Sequence, residues 1–320
     1  MARRSLLIPE ITTETRSWTT RITVTEDIPA ITCGKNSKMK RYIFTDEKDN
    51  QVIATAWDFH IPYLVQKLYL FKVYDITYAH VKSVEAQYRI LRNPYQWVLQ
   101  RDTLIRPKAE VEPNLSCLLS NLTSFREIAT NAGNLNNMDI MGVILVYANP
   151  TTVITDHGLK NIQRFTFVDM ERIPISVTLW GEMKEIMSPI LEEAANTLSV
   201  VVVRRLSPSK SKFKLIGLSL SAKNSSSFTI NPPLELVFNL KSWIDSKTRQ
   251  ELEEFLVDQT ITLLRNQLTQ GSKKILTLAE IKTAEKNGDY WVKGLLQIAT
   301  EEQKFFYLGC NNCSAKNKRK

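Results

Sequence analysis

Residues 164–181, RFTFVDMERIPISVTLWG, repeat residues 41–58, RYIFTDEKDNQVIATAWD, at a constant offset of 123 with no gap. Arg41 aligns with Arg164, Phe44 with Phe167, Asp46 with Asp169, Thr55 with Thr178 and Trp57 with Trp180. Each copy reads as a strand, a polar turn around an aspartate, and a second strand ending in tryptophan. A half-buried strand alternates with a period of two, so the all-apolar face goes to the core. That face is Val52, Ala54 and Ala56 in the first copy and Ile175, Val177 and Leu179 in the second. Gln51, Ile53, Thr55 and Trp57, and likewise Ser176, Thr178 and Trp180, fall on the other face. A lone strand-terminal tryptophan is more often a core or rim residue. The same outward phase occurring twice points to two barrels, each carrying a stacking platform.

The surrounding sequence fits that plan. Trp18 to Val24 alternates, and a loop from Thr32 to Lys40 carries Lys35, Lys38 and Lys40. Phe59–Leu70 is expected to be a short helix, and Phe71–Tyr78, Tyr88–Leu91 and Tyr95–Leu99 are expected strands. Five short strands with a helix between the third and fourth describe an OB-type barrel. Arg106–Ser124, with Pro107 and Pro113, reads as a linker, and the domain division puts the first barrel at 1–108 and the linker at 109–124. A second barrel spans 125–233: a strand at Asp139–Tyr147, the repeat, a helix at Met183–Ala195, then strands at Ser199–Val203 and Phe213–Leu220. Between those last strands lies a basic connection, Arg204 to Lys212. Residues 234–270 read as a helical connector, and 271–320 as a truncated third OB segment, zinc-ribbon-like, with a basic tail. The fold class is all-β dominated, tandem five-stranded OB barrels with connecting helices.

The totals exclude several classes. A 43% hydrophobic content supports packed cores rather than disorder, and the net charge of +9 suits a polyanionic partner. The N-terminus has too short an apolar run for a signal peptide, and no run is long enough to span a membrane. Cys33 and Cys117 are isolated, which favours a reducing, intracellular compartment and no membrane partner. Phosphate-loop, dinucleotide, zinc-protease and nucleophile-elbow motifs are absent, so no enzyme is expected. Cys310 and Cys313 have zinc-knuckle spacing, but structural zinc takes four ligands. No cofactor is expected, unless the missing zinc ligands come from elsewhere. The remaining signal is basic residues beside aromatics, the composition of a sequence-tolerant single-strand binder. Lys38 and Lys40 precede the first Trp strand, while Arg204, Arg205, Lys210 and Lys212 flank the second barrel's loop.

At these residues the chain resembles the large subunit of replication protein A, the eukaryotic single-stranded-DNA-binding factor. The first unit's Asp46, Ile53-Ala-Thr-Ala-Trp57, Lys82, Tyr88 and Asn93-Pro-Tyr95 follow the family's first central OB domain. Asp169 and Thr178-Leu-Trp-Gly-Glu182 follow the next one, and Leu240-Lys-Ser-Trp243 resembles the segment closing it. The resemblance implies Trp57, Tyr88 and Trp180 as base-stacking aromatics, with Phe213 as a substitute for a fourth. It implies backbone or base contacts for Lys82 and Arg204, places Gln96 where the family usually has an acidic residue, and puts Ile53 where a basic residue is common. It also implies a nuclear role in DNA replication, repair or recombination, with single-stranded DNA as partner. The smaller subunits would be further partners, against which the cut-short third barrel weighs. The alternative is an OB module that binds protein or RNA instead.

Overall fold

The computed structural model describes residues 5–256 except 35, 119–120, 132–136, 156–157, 210–217, 253 and 255, together with 275–276 and 291–292. Met1–Leu264 is one compact unit and Arg265–Lys320 a second. In the second unit Ile275–Leu276 runs parallel to Trp291–Val292.

The first barrel comprises β1 (Thr19–Cys33), β2 (Ser37–Thr45), β3 (Gln51–Trp57), α1 (Ile61–Val65), β4 (Val73–Thr77), β5 (His80–Ser83), β6 (Tyr95–Val98) and β7 (Leu104–Pro107). The second is led by α2 (Phe125–Asn131) and comprises β8 (Met138–Tyr147), β9 (Thr151–Thr155), β10 (Gly158–Val168), β11 (Ile175–Trp180), α3 (Gly181–Asn196), β12 (Val200–Pro208), β13 (Leu218–Ser221), β14 (Ser227–Ile230) and α4 (Glu235–Asp245). The sequence repeat is a repeat of strand register. Arg41 faces Thr55, Ile43 faces Ile53 and Met39 faces Trp57. In the second barrel Arg164 faces Thr178, Thr166 faces Ser176 and Ile162 faces Trp180.

Both sheets close by the same device. β1 pairs with β2 and β4, β3 runs parallel to β6, and β6 pairs with β5. Tyr78, at φ +62°, turns the chain between β4 and β5, so one strand closes on β1 with its first half and on β6 with its second. In the second barrel β12 pairs with β8 and β13, and β13 runs parallel to β11. Arg205, at φ +59°, makes the equivalent bend, where the register shifts between Val203 and Leu206. Closure of five strands into a ring is the OB architecture. β1 accommodates Pro29 because its register also shifts between Ile28 and Ile31, a bulge that needs no ladder donor there.

The alternating faces sort as the pattern predicts. Val52, Ala54, Ala56, Ile175, Val177 and Leu179 are all fully buried. In the first core Trp18 and Trp97 meet at 4.8 Å between ring centroids, and Phe44 lies 6.2 Å from Trp97. Each turn aspartate holds its hairpin and the segment leading into its barrel. Asp46 accepts from the Lys48 and Asn50 amides at 2.9 and 3.0 Å and from the Ile8 amide at 2.9 Å, at the head of a 3-10 turn. Asp169 accepts from Glu171 at 2.9 Å and from the amide of Phe125, the first residue of α2. A carboxylate there satisfies otherwise orphaned helix-start donors.

Three local expectations are corrected. The Phe59–Leu70 helix is only a 3-10 turn, Asp58–His60, running into α1, because the chain turns away before Phe71 at φ +62°. Tyr88–Leu91 is not a strand. The 3-10 turn Ala86–Tyr88 and a loop occupy it, and the strand paired with β6 is β5. The proline-bearing start of the expected linker is β7, paired with β4. Beyond Pro233, α4 packs Val237, Leu240 and Ile244 against Val143, Val200 and Val202 of the second barrel.

Candidate nucleic-acid interface

Trp57 and Trp180 end equivalent strands, and each is followed by a residue in the left-handed region: Asp58 at φ +44° and Gly181 at φ +50°. That conformation turns the backbone sharply into the following helical segment. Asp58 adds a clamp, its carboxylate accepting the Lys38 amide at 2.8 Å. Both indoles are half-buried on the face opposite the core. The Trp180 Nε1 donates to Ser221 Oγ at 3.3 Å, tying the indole to β13. Tyr88, 69% exposed, stands on the loop between β5 and β6. None of these three rings stacks on another aromatic among the described residues.

The floor between β2 and β3 is apolar. Ile28, Ile43 and Ile53 form a small cluster on the outward face, covered by Ile90 and Leu91 from the loop that carries Tyr88. Ile53 is 7% exposed, so an aliphatic side chain here anchors the loop. The Thr55 hydroxyl donates to Gln96 Oε1 at 3.1 Å, and Gln96 faces Lys82 across β5–β6. Lys82 is thus exposed on the same face as Trp57. At the equivalent level the second barrel has Thr166 and Ser176, both partly open.

No family model matches the chain. It is 23% identical to a replication protein A 70 kDa DNA-binding subunit of Arabidopsis thaliana over 316 residues, 94% of this chain and 49% of the relative. It is 26% identical to replication factor A protein 1 of Saccharomyces cerevisiae over 275 residues, 83% of this chain and 42% of that protein. A solved replication protein A heterotrimer bound to single-stranded DNA superimposes with a TM-score of 0.61 at 20% identity, covering 75% of this chain and 55% of that one. The chain is an OB-fold protein similar to the large subunit of replication protein A. It spans about half the length of the relatives it matches.

Within this replication protein A-like frame, several expected basic contacts are redirected. Arg204 and Arg205 lie in β12 rather than in a loop, and both are buried. Arg205 Nη1 donates to Glu26 Oε1 of the first barrel at 3.0 Å, and its Nη2 donates to Oε2, which also accepts from Ser227. Arg204 Nη1 donates to Asp139 at 3.1 Å, and Asp139 accepts the Arg205 amide at 2.8 Å. Burial pushes the Glu26 carboxyl up, but Arg205, with Arg204 and Ser227, more than offsets it and holds it below its ordinary range. These guanidiniums join the barrels and do not neutralise phosphates. Lys40 is also buried, on the core-facing side of β2, paired with Asp27 and 5.1 Å from the Tyr42 ring centroid. Period two places Lys38 opposite Trp57 as well, although Lys38 is exposed.

Around this lock, Thr32 donates from its amide and hydroxyl to Glu182 at 2.8 and 2.9 Å, and Arg41 donates to the Asn224 carbonyl at 2.7 Å. Ile31 is buried in the second barrel's core cluster. Lys210, Lys212 and Phe213, and also Cys310 and Cys313, lie outside the described residues. No cluster of metal-ligating side chains occurs among the described residues. Sequence reading missed Arg89 and Arg92, both exposed on the Tyr88 loop. Their signal was the interleaved Tyr-Arg-Ile-Leu-Arg run, mistaken for a strand.

Proposed function

We propose that the chain binds single-stranded DNA without strong sequence preference, through Trp57 and Tyr88 on one barrel and Trp180 on the other. The observation that carries this is the outward tryptophan repeated at identical register in both barrels. Stacking supplies roughly 1–3 kcal/mol per base and tolerates any base. Lys82, Arg89 and Arg92 supply exposed charge for the backbone beside the first barrel's aromatics. The DNA-binding role named for the relatives supports the same reading, as does the lack of enzyme motifs, which favours binding without catalysis. A nuclear setting in replication, repair or recombination goes with that kinship, and smaller replication protein A subunits are secondary partners testable by co-purification. Fluorescence-anisotropy titration with a labelled oligo-dT of about 30 nucleotides at two salt concentrations tests the core of it. Binding that weakens steeply with salt and quenches tryptophan emission supports the proposal. A folded chain that leaves the oligonucleotide free at low salt rejects it.

A further inference from the structure

The repeat carries an arginine with each tryptophan. Arg41 faces Thr55 and Arg164 faces Thr178, and each of those threonines lies two residues before its tryptophan. A period of two therefore puts Arg41 on the outward face with Trp57, and Arg164 on the outward face with Trp180. Diagonal neighbours of this kind lie about 7–8 Å apart across an antiparallel pair, within reach of long side chains. The core faces of the same strands are filled by Tyr42 and Phe44, and by Phe165 and Phe167, all fully buried. Neither arginine takes part in packing them.

The two guanidiniums meet different surroundings, and neither meets an acid. Arg164 is exposed and forms no ion pair among the described residues. Arg41 is half-buried at the seam between the barrels, its Nη2 donating to the Asn224 carbonyl at 2.7 Å. Asn224 stands three residues past Ser221, whose hydroxyl holds the Trp180 indole. Arg41 thus joins the floor of the first groove to the tryptophan edge of the second. A guanidinium has five donors, and one neutral carbonyl does not cancel its charge. The carboxylates of the seam are taken: Glu26 and Asp139 by Arg204 and Arg205, and Glu182 by the Thr32 amide and hydroxyl. Burial, with Arg205 adding like charge, pushes the Arg41 pKa down, and it does the same to Lys223 beside Asn224. A partly desolvated cation without a counter-charge is costly until an anion reaches it.

We propose that Arg41 and Arg164 are phosphate-binding residues of the two grooves. Arg41 takes a phosphate where the strand crosses from the first groove to the second, and Arg164 takes one beside Trp180. The inference rests on the single-strand reading and adds to it the register of the backbone. Each groove then holds one base on an indole and one phosphate on the neighbouring guanidinium. The planar fork of arginine matches two phosphate oxygens at once, which fixes position as well as charge.

The test is the salt dependence of oligo-dT binding by the full chain, read by fluorescence anisotropy at several salt concentrations. The variants are Arg41→Gln, Arg164→Gln, Arg41→Lys and Arg164→Lys, each checked for folding by circular dichroism and thermal melts. Each glutamine variant should weaken binding about tenfold at low salt. Each should also lower the slope of log K against log salt by about 0.7, the share of one phosphate on a single strand, and the double variant by about 1.4. Lysine keeps the charge and should keep the slope. If Arg41 were only a strut on Asn224, its glutamine variant would melt earlier with the slope unmoved. In a wild type that binds, a slope that either glutamine variant leaves unmoved, or that lysine lowers as much as glutamine, overturns this inference alone. A folded wild type that leaves the oligonucleotide free overturns it together with the reading on which it rests.

Discussion

The two barrels share a frame and differ in what fills it. Hairpin register, turn aspartate, left-handed residue after the tryptophan and bend in the fourth strand are the same in both. The outward floor is not. Ile43 and Ile53 of the first barrel lie under Ile90 and Leu91, where the second barrel has Thr166 and Ser176. A one-residue slip would turn every core side chain outward, so register is held tightly. The outward floor has no such constraint and has diverged. The first groove uses its floor to anchor its own loop, while the second leaves hydroxyls for a ligand.

The largest predicted effect breaks the junction between the two regions. Glu26→Ala leaves Arg205 buried without its carboxylate and should cost about 3–5 kcal/mol. Chemical denaturation should then resolve two transitions where the wild type shows one. Next is the floor itself. Ile53→Ser opens the cluster beneath the Tyr88 loop and should cost about 2–4 kcal/mol, with hydrogen exchange quickening over residues 84–94 while the second barrel is unchanged. The tryptophans then compare the grooves as binding sites. Trp57→Ala and Trp180→Ala should each weaken oligo-dT binding by about 1–3 kcal/mol. Equal losses in anisotropy titrations would show that the covered floor does not handicap the first barrel.

A smaller test concerns the left-handed residue. An added Cβ at Gly181 meets nothing within 4 Å, so Gly181→Ala should cost only the backbone penalty, about 1–2 kcal/mol. Asp58→Gly relieves the equivalent strain but loses the clamp on Lys38, and its melting temperature should hardly move. The last test is a pH effect at the turn aspartate of the second barrel. Burial, with Glu171 adding like charge, raises the Asp169 carboxyl from 3.8 to about 6. The folded state then holds a proton that the unfolded state has released. This contribution to stability is present below about pH 4 and is lost as pH rises through about 6. Glu171→Gln should narrow that window in pH-dependent melts.

The hairpins, the core faces and the outward phase of both tryptophans were legible because each is local and periodic. The ion-paired arginines were not. A Val-Val-Val-Val-Arg-Arg run looks like a strand ending in a basic loop, and only partners 65 and 179 residues away keep the charges inside. Lys40 was misjudged for want of parity: Arg41, not Lys40, shares a face with Trp57. Tyr88–Leu91 imitates strand alternation because its isoleucine and leucine do bury themselves, but from a loop laid over the sheet.

The buried Glu26–Arg205 junction also fixes a length. Two modules on a slack tether sample many separations, and the second to bind pays for the tether's lost freedom. Here the distance from Trp57 to Trp180 is built in, so under the proposed function the chain would act as a caliper. The number of nucleotides between its two stacked bases should be one constant value, and strands too short to span it should lose the second contact abruptly rather than by degrees.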